Sequence, residues 1–263
     1  MIKQWARELL PLSLQVPGKY LINTFRNQLE KELELLKWVI KSEDRVIDVG
    51  GNRGIYSYKL WKLGCRVEIF EPNPVCLNVL SAWSMNKPMV SIHAVALSNK
   101  AGVADLHIPI DSHGIEHDAS ASLNKLDLFS KRDERVELRS LDSYLFENIS
   151  FIKIDVEGHE LNVLHGARNL LKEQKPSLLI EIEQRHCQHS ITDVFNFLNK
   201  LGFSGFYLDN KKLKSLTTFN LARDQRLEDF NKPQRRYINN FLFLHQDQIN
   251  KKRFIGLFKE FHL

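Results

Sequence analysis

Cysteines are scarce in this chain of 263 residues, and the three present are Cys65, Cys76 and Cys187. A set this sparse and odd in number is not the disulfide framework of a small secreted domain, so we expect reduced thiols. The N-terminal region is interrupted by Pro11, Pro17 and charged residues, and it lacks the continuous apolar core of a secretion signal. No stretch reaches the ~18 uninterrupted apolar residues that a membrane-spanning helix needs. These absences predict a cytoplasmic protein.

Dense blocks of basic residues are also absent. Lys and Arg number 37 against 32 Asp and Glu, which gives a mild formal net charge of +5. Without a basic block we predict no nucleic-acid partner. Hydrophobic residues make up 43% of the chain, enough for one large core or one domain with appendages.

A glycine turn directly after an apolar strand is the most informative motif. The predicted strand Arg45–Val49 carries Asp48 near its end and leads straight into the turn. Such a turn lets the backbone approach a ligand closely and directs the positive end of the next helix toward it. We therefore predict a nucleotide-cofactor site whose binding candidates in the turn are Gly50, Gly51, Asn52 and Gly54.

A second acid follows at a distance typical of a ribose ligand. The predicted strand Val67–Phe70 runs into Glu71, which lies 23 residues after Asp48, and Pro72 ends the strand. An acid about 20 residues beyond such glycines accepts hydrogen bonds from ribose hydroxyls. We therefore include Glu71 and Pro72 among the cofactor-binding candidates.

The spacing of the glycines and the charge of Asp48 favour one cofactor. A dinucleotide fingerprint places glycines at i, i+2 and i+5 to hold a pyrophosphate, whereas here they fall at i, i+1 and i+4. Asp48 would repel a phosphate, but S-adenosyl-L-methionine has none, and its sulfonium and ammonium groups are positive. We therefore predict a methyltransferase dependent on this cofactor. An NAD-linked oxidoreductase is the alternative, and a turn that serves only packing is a third.

Strands and helices alternate from residue 45 onward, which indicates a parallel sheet with helices on both faces. The alternation is interrupted by a β insertion at residues 103–139, whose polar loop Asp111–Asp133 we interpret as a substrate lid. We expect a catalytic domain at residues 44–247, preceded by a helical extension at residues 1–43 with an amphipathic helix over Asn23–Lys41.

The last segment, residues 248–263, is a basic amphipathic tail. Ile249–Leu263 has the composition of a helix that makes peripheral membrane contact, although docking on its own domain or on a partner subunit is the more frequent outcome. No pattern indicates an oligomeric state.

Charged residues cluster at another strand end, within Phe151–Glu160. Side chains alternate along a strand, so Lys153 and Asp155 share one face, and a charge in a central parallel strand needs a partner. Glu181, on the predicted strand Leu178–Glu183, is the expected partner of Lys153. The pair either fixes strand register or belongs to a catalytic site at the carboxyl ends of the strands.

Several motifs occur together, and each is weak alone: Asp48–Ser57, Glu71–Pro74, Ala96–Gly102, Leu141–Asp142, Ile152–Glu160, Leu164–Ala167 and Glu181. In this combination the chain resembles the FkbM-type S-adenosylmethionine-dependent methyltransferases from about Arg45 to Leu244. The resemblance implies a Rossmann-like class I methyltransferase fold, an α/β fold with a seven-stranded, mostly parallel sheet whose last strand is antiparallel. It also implies transfer of a methyl group to a hydroxyl oxygen of a sugar, a glycan or a natural product.

The resemblance implies roles for the residues of the glycine turn and its neighbours. Asp48, Gly50 and Asn52 would hold the methionine portion of the cofactor, and Glu71 the ribose. Gly51 stands where the family more often has alanine, a change expected only to loosen the turn.

The resemblance places Val95 and Ala96 beside the adenine, and Asp155 between cofactor and acceptor. Methyl transfer to an alcohol requires loss of a proton, so a positioned base is needed. Asp155 is the first candidate, His159 the second and Glu157 the third.

Two rival interpretations remain. A metal-assisted reaction would use Glu183, His186, Cys187 and His189, but no paired ligand motif is present, so we predict no metal. A non-catalytic nucleoside-binding module would lack Asp48, Glu71 or Asp155, and all three are present. The loop Asp111–Asp133 and the segment Asp209–Tyr237 would select the acceptor, and neither contains a motif that identifies it.

Overall fold

The structure is a computed structural model that describes residues 10–117, 120–124, 130–187, 189–230 and 236–263. Its strands are β1 Arg45–Val49, β2 Arg66–Phe70, β3 Val90–His93, β4 Ala96–Leu97, β5 Gly102–Pro109, β6 Lys131–Arg139, β7 Ile149–Ile154, β8 Ser177–Glu181, β9 Phe203–Asp209, β10 Lys212–Ser215 and β11 Asn240–His245. Its α-helices are α1 Leu12–Phe25, α2 Leu36–Val39, α3 Ile55–Lys62, α4 Pro74–Ser84, α5 Glu160–Gly166, α6 Arg168–Gln174, α7 Ile191–Lys200, α8 Leu221–Asp224, α9 Gln246–Ile249 and α10 Lys252–Glu260.

The central sheet contains eight strands in the order β3-β2-β1-β7-β8-β11-β9-β10. The pairs β3-β2, β2-β1, β1-β7 and β7-β8 are parallel. By contrast, β11 is antiparallel to both of its neighbours, β8 and β9. The expected fold class, a mostly parallel sheet with an antiparallel last strand, is therefore confirmed.

The sheet has one strand more than the expected seven, because β9 turns back into the antiparallel strand β10. Asn210 and Lys211 make this turn with φ of +49° and +65°, the left-handed pair typical of a two-residue hairpin. β10 is an edge strand of the sheet, and its surroundings are rich in lysine, as is common at sheet edges. Leu213, which is buried, fixes β10 to the domain.

Two apolar clusters cover the two faces of the sheet. On one face, Val46 and Phe151 pack with residues of α1, α2, α3, α4 and α10. On the other, Ile47 and Ile152 pack with α5, α6 and α7. Neighbouring residues of β1 and β7 thus enter opposite clusters, which is why these strands are apolar at nearly every position. Asp48 and Lys153 break that rule, and they lie opposite each other in register.

The predicted helix over Asn23–Lys41 is wrong. The helix α1 ends at Phe25, and Asn27 has a φ of +50°, which breaks the helical path. A 3₁₀ turn at Lys31–Glu34 and the short helix α2 follow. Phe25 is 92% exposed, so it does not lie on a buried helix face.

The insertion forms a small sheet of its own, in the order β4-β6-β5. β5 and β6 pair antiparallel from Gly102 with Leu138 to Pro109 with Lys131. Part of the predicted loop Asp111–Asp133 is therefore strand, and residues 118, 119 and 125–129 of that loop lie outside the described residues. The lid stays a prediction.

The tail docks on the rest of the protein. Phe254, Leu257 and Phe261 are buried in the cluster that also holds α2. Of the two arrangements considered for this amphipathic helix, the structure shows the docked one, and membrane contact stays untested. Among the described helices, none has the length and apolar character needed to cross a bilayer.

Candidate active site

The glycine turn is held between the ends of β2 and β7. The Gly50 and Gly51 amides lie 2.9 and 3.2 Å from the Phe70 carbonyl oxygen to which they donate, and the Asp155 amide donates to the Val49 carbonyl at 3.0 Å. Gly50 has a φ of +77°, and a Cβ there would overlap the Asp155 carbonyl oxygen. Glycine at this position therefore allows the backbone after β1 to contact the backbone after β7.

The expectation that Gly51 only loosens the turn is wrong in one respect. A Cβ at Gly51 would overlap the Ile69 side chain and contact the Ser57 hydroxyl. The Ile69 side chain packs closely against Gly51, and an alanine there would require Ile69 to shift. Gly54 also has a packing role, because it precedes α3 and faces Leu80.

A cavity of about 320 Å³ opens above the turn. It brings together most of the predicted site residues, and Gly54 is the one that does not line it. The predicted residues around the cavity are Asp48, Gly50, Gly51, Asn52, Glu71, Pro72, Val95, Ala96, Lys153, Asp155, Glu157 and His159, together with Glu181.

Asp48 lies at the floor of this cavity and is 2% exposed. The Ser57 hydroxyl donates a hydrogen bond to its carboxylate. Burial raises the pKa of Asp48, while Ser57 and Lys153 act against that shift. A bound cation would favour the ionised form of this carboxyl group, because an opposite charge offsets the loss of hydration.

Glu71 ties the end of β2 to the glycine turn. Its carboxylate accepts hydrogen bonds from the Asn52 amide at 2.6 Å and the Asn73 amide at 2.8 Å. A carboxylate oxygen can accept more than one hydrogen bond, and Glu71 borders the cavity, so its chemistry suits a diol.

An apolar wall stands beside Glu71. Phe70 and Pro72 border the cavity together with Val95, Ala96 and Leu97, which follow β3. Phe70, Ala96 and Leu97 are buried. A flat aromatic base fits the apolar character of such a wall.

Lys153 is fully buried at the centre of the second group of charges. Its Nζ lies 3.8 Å from an Asp155 carboxylate oxygen, donates to Asn240 Oδ1 at 3.1 Å and lies 4.8 Å from the centre of the Tyr56 ring. Burial acts to lower the pKa of Lys153, but the carboxylates of Asp155 and Glu181 outweigh it and the pKa is raised. Lys153 is therefore an ammonium ion held by several groups.

The expected direct pair between Lys153 and Glu181 is wrong. Lys153 contacts Asp155, whereas Glu181 accepts a hydrogen bond from Asn239 Nδ2 at 2.6 Å. In the register of β7 and β8, Lys153 lies opposite Leu179, which places Glu181 further along its strand. Glu181 acts on Lys153 through its charge.

Asp155 follows β7 and its side chain is 31% exposed. Burial raises the pKa of Asp155 to about 7, Lys153 lowers it, and the charge of Glu157 raises it again. A carboxyl group with this pKa gains and loses a proton near neutral pH, which is the property of a general base.

His159 and Glu157 are engaged with other groups. His159 Nε2 lies 3.0 Å from Ser98 Oγ and its Nδ1 lies 3.2 Å from Asn162 Nδ2. Burial lowers the pKa of His159 to about 4, so the ring is neutral at pH 7. A Glu157 carboxylate oxygen lies 2.9 Å from His186 Nε2.

Some polar residues of the cavity were not among the predicted site residues. Lys19 and Glu30 come from the N-terminal extension, and Tyr56 comes from α3. The Tyr56 hydroxyl donates to Glu30 Oε2 at 2.6 Å, and Asn240 Nδ2 lies 3.3 Å from the same oxygen. Tyr56 was within the Asp48–Ser57 motif, whereas no local pattern indicates that Glu30 reaches the site.

The residues considered for a metal are used differently. Glu183 accepts hydrogen bonds from Tyr237 at 2.8 Å and Asn239 at 3.0 Å, and Arg185 pairs with it. Within the described residues, no three His, Cys, Asp or Glu side chains are grouped to hold a metal ion.

Known proteins of similar sequence support one family. The family model described as the methyltransferase FkbM domain matches residues 48–204. The chain belongs to the FkbM methyltransferase family. It is 31% identical over 159 residues to methyltransferase sdnD from Sordaria araneosa, an alignment that covers 48% of this chain and 61% of that protein.

A solved structure has the same fold. Methyltransferase FkbM from Methylobacillus flagellatus KT matches with a TM-score of 0.52 and 17% identity, over 91% of this chain and 57% of that one. The present chain therefore spans about three fifths of the length of these two relatives.

The residues present fit S-adenosyl-L-methionine, the cofactor of the FkbM methyltransferases and the one expected from the sequence. The buried acid Asp48 suits a cation, Gly50 leaves room that a Cβ would fill, and Glu71 suits a diol. The cofactor prediction is thus confirmed by the family to which the chain belongs.

Proposed function

We propose that this FkbM methyltransferase is an O-methyltransferase that acts on a hydroxyl group of a sugar, a glycan or a natural product. The observation that carries the proposal is the position of Asp155. A carboxyl group with a pKa of about 7 borders the same cavity as Asp48 and Glu71. Attack by an alcohol oxygen needs such a base, whereas attack by a free amine does not.

In this proposal the cofactor lies along the ends of β1, β2 and β3. Asp48, Gly50 and Asn52 hold its methionine portion, and Glu71 accepts hydrogen bonds from the ribose hydroxyls. The apolar wall that includes Val95 and Ala96 covers its adenine. When bound, the cofactor would supply an electrophilic methyl group, and the bond from this carbon to the sulfonium sulfur would break as the bond to oxygen forms, leaving S-adenosylhomocysteine.

Asp155 receives the proton that leaves the acceptor hydroxyl while the oxygen bonds to the methyl carbon. Lys153, 3.8 Å away, stabilises the ionised carboxylate that is ready for this step. A positioned base contributes about 10²–10⁴-fold to such a reaction. His159 is a weaker candidate, because both ring nitrogens face other polar groups.

A labelling experiment tests the type of transfer. We expect the purified protein to move a labelled methyl group from the cofactor to a component of fractionated cell-envelope extracts, in a methyl ether that resists alkaline hydrolysis. Label on nitrogen or carbon in the product would contradict O-methylation. Consumption of NAD without methyl transfer would favour the oxidoreductase alternative instead.

A further inference from the structure

The β insertion contributes a segment to the cavity above the glycine turn. Residues 120–124, which we name the insertion segment, belong to the loop for which the sequence predicted a role in acceptor selection. Ala121 and Leu123 of this segment line the cavity, as does Leu106 on β5. These three apolar residues lie far in sequence from the glycine turn, so no local motif indicates their place in the site.

The insertion segment continues the apolar wall of the cavity. Ala121 and Leu123 pack against a small apolar cluster whose buried members are Ala96, Leu106, Ile108 and Val136. Ala96 also belongs to the wall beside Glu71, and its strand β4 pairs with β6 of the insertion. The apolar wall therefore extends from Ala96 into the insertion.

Two backbone hydrogen bonds attach the insertion segment to β5. The His107 amide donates to the Ser122 carbonyl oxygen at 2.8 Å, and the Ser122 amide donates to the His107 carbonyl oxygen at 3.0 Å. His107 directly follows Leu106, so this bridge brings the neighbours of Ser122 to the part of β5 that borders the cavity.

Two polar side chains attach the same segment to the loop after β7. The Ser122 hydroxyl donates to the Glu157 carbonyl oxygen at 2.7 Å. Asn124 Nδ2 donates to the Gly158 carbonyl oxygen at 3.0 Å and to that of His186 at 3.2 Å. Because Ser122 and Asn124 flank Leu123, their hydrogen bonds hold Leu123 at the cavity from both sides.

We infer that the insertion segment is part of the cofactor site. Ala121 and Leu123 contact the adenine, and Ser122 and Asn124 are the positioning residues that hold them against it. The inference rests on the proposed function, in which the adenine lies along the wall that includes Ala96. Ala121 and Leu123 are apolar neighbours of Ala96 in the same cavity, and an aromatic base that covers them removes their surface from water.

Nuclear Overhauser effects between ligand and protein test the contact directly. The full chain is labelled with ¹³C in the methyl groups of alanine and leucine and is saturated with unlabelled S-adenosylhomocysteine. The methyl signals of the two residues are identified by their loss in Ala121→Ser and Leu123→Ala. We expect both residues to show cross-peaks with the ring protons of the adenine.

Leu123→Ala also measures what the contact contributes to binding. We expect its affinity for S-adenosylhomocysteine to fall by about tenfold, because apolar area buried against the adenine is lost. Val103→Ala is the matched control, since Val103 lies on β5 of the same insertion, is 55% exposed and does not line the cavity. Its affinity, measured by calorimetry, should equal that of the wild type.

Asn124→Asp tests the positioning role with little change of shape. Aspartate lacks the amide donor, and its carboxylate would face the carbonyl oxygens of Gly158 and His186. We expect affinity to fall by about threefold to tenfold, together with weaker cross-peaks between Leu123 and the adenine. A general loss of stability would leave these cross-peaks of the bound state unchanged. Asn86→Asp, at an exposed position after α4, is the control and should alter neither quantity.

The outcomes separate this inference from the proposed function. If S-adenosylhomocysteine binds but the cross-peaks are absent or connect Leu123 only to the homocysteine portion, the adenine contact is wrong while the methyltransferase proposal stands. Normal affinity in Leu123→Ala would overturn the contact in the same way, and unchanged binding and cross-peaks in Asn124→Asp would overturn the positioning role. If S-adenosylhomocysteine does not bind the folded wild-type protein, the proposed function is wrong and the inference is overturned with it.

Discussion

The cavity has two halves, a cofactor half around the glycine turn and an acceptor half around the ends of β7 and β8. The two halves are built in different ways. Around the glycine turn, the acids Asp48 and Glu71 are held by groups close in sequence, a Ser57 hydroxyl and the amides of Asn52 and Asn73. Around β7 and β8, the charges are held by side chains from the two ends of the chain. The first half is therefore a local motif, and the second depends on the complete tertiary fold.

This difference has a consequence for charge. In the cofactor half, the carboxylate of Asp48 is hydrogen-bonded to a neutral donor, the Ser57 hydroxyl, and it suits a bound cation. The acceptor half instead gathers several carboxylates around one buried ammonium, Lys153. A site of this kind perturbs proton affinities, as the pKa of about 7 at Asp155 shows.

The substitution Asp155→Asn is expected to have the largest effect, and it tests whether the acceptor half acts separately from the cofactor half. We expect turnover to fall by about 10²–10⁴-fold, because the base is lost, while affinity for S-adenosylhomocysteine stays within about threefold. Steady-state kinetics and calorimetry measure the two quantities. Asp105→Asn, at an exposed position of β5, is the control and should behave as the wild type. Near-normal turnover in Asp155→Asn would remove this residue from the role of base.

Gly50→Ala should damage the opposite half. The added Cβ would overlap the Asp155 carbonyl oxygen at a left-handed φ, so we expect affinity for S-adenosylhomocysteine to fall by about tenfold to hundredfold. Gly114→Ala is a matched control, because Gly114 has a φ of +76° but nothing within 4 Å of the added carbon. Equal affinities in the two variants would show that close packing at the turn is unimportant for binding.

The pH profile sharpens the account of the acceptor half. A base must be ionised, so the turnover rate should rise with pH through about 7, the pKa of Asp155. The charge of Glu157 raises that pKa, so Glu157→Gln should move the rise to lower pH, by a few tenths of a unit to about one unit. Glu173→Gln, on the exposed side of α6, should leave the profile in place. A shift to higher pH in Glu157→Gln would contradict the assigned electrostatics.

The smallest effect concerns the link to the N-terminal extension. Tyr56→Phe removes the 2.6 Å hydrogen bond to Glu30 but keeps the ring beside Lys153. We expect the free energy of unfolding to fall by about 1 kcal/mol, measured by urea denaturation. Tyr58→Phe, in the same helix, is the comparison and should cost less. Equal losses would indicate that the Glu30 contact does not stabilise the fold.

The contrast between the halves also explains what the sequence could predict. Asp48, the glycines and Glu71 lie within one strand-turn-helix-strand unit. The spacing of these residues is visible directly in the sequence. The alternation of strands and helices along the chain likewise predicted a parallel sheet with helices on both faces. The strand β10 was missed because its polar residues resemble a loop, and the residues of the turn before it became informative only with their positive φ.

The rest required contacts that spacing does not contain. Asn240 bonds to Lys153 across 87 positions and to Glu30 across 210. The predicted Lys153–Glu181 pair was wrong because strand register, which decides neighbours across a sheet, cannot be derived from either strand alone. The helical spacing of apolar residues over Asn23–Lys41 predicted one helix, but the positive φ of Asn27 interrupts it.

Calorimetric titration of the folded protein with S-adenosylhomocysteine tests the central claim most directly, namely that the cavity above the glycine turn is a cofactor site. We expect saturable binding of one molecule per chain, weakened in Gly50→Ala, and no binding of NAD. Absence of binding by S-adenosylhomocysteine, or binding of NAD in its place, would contradict the account.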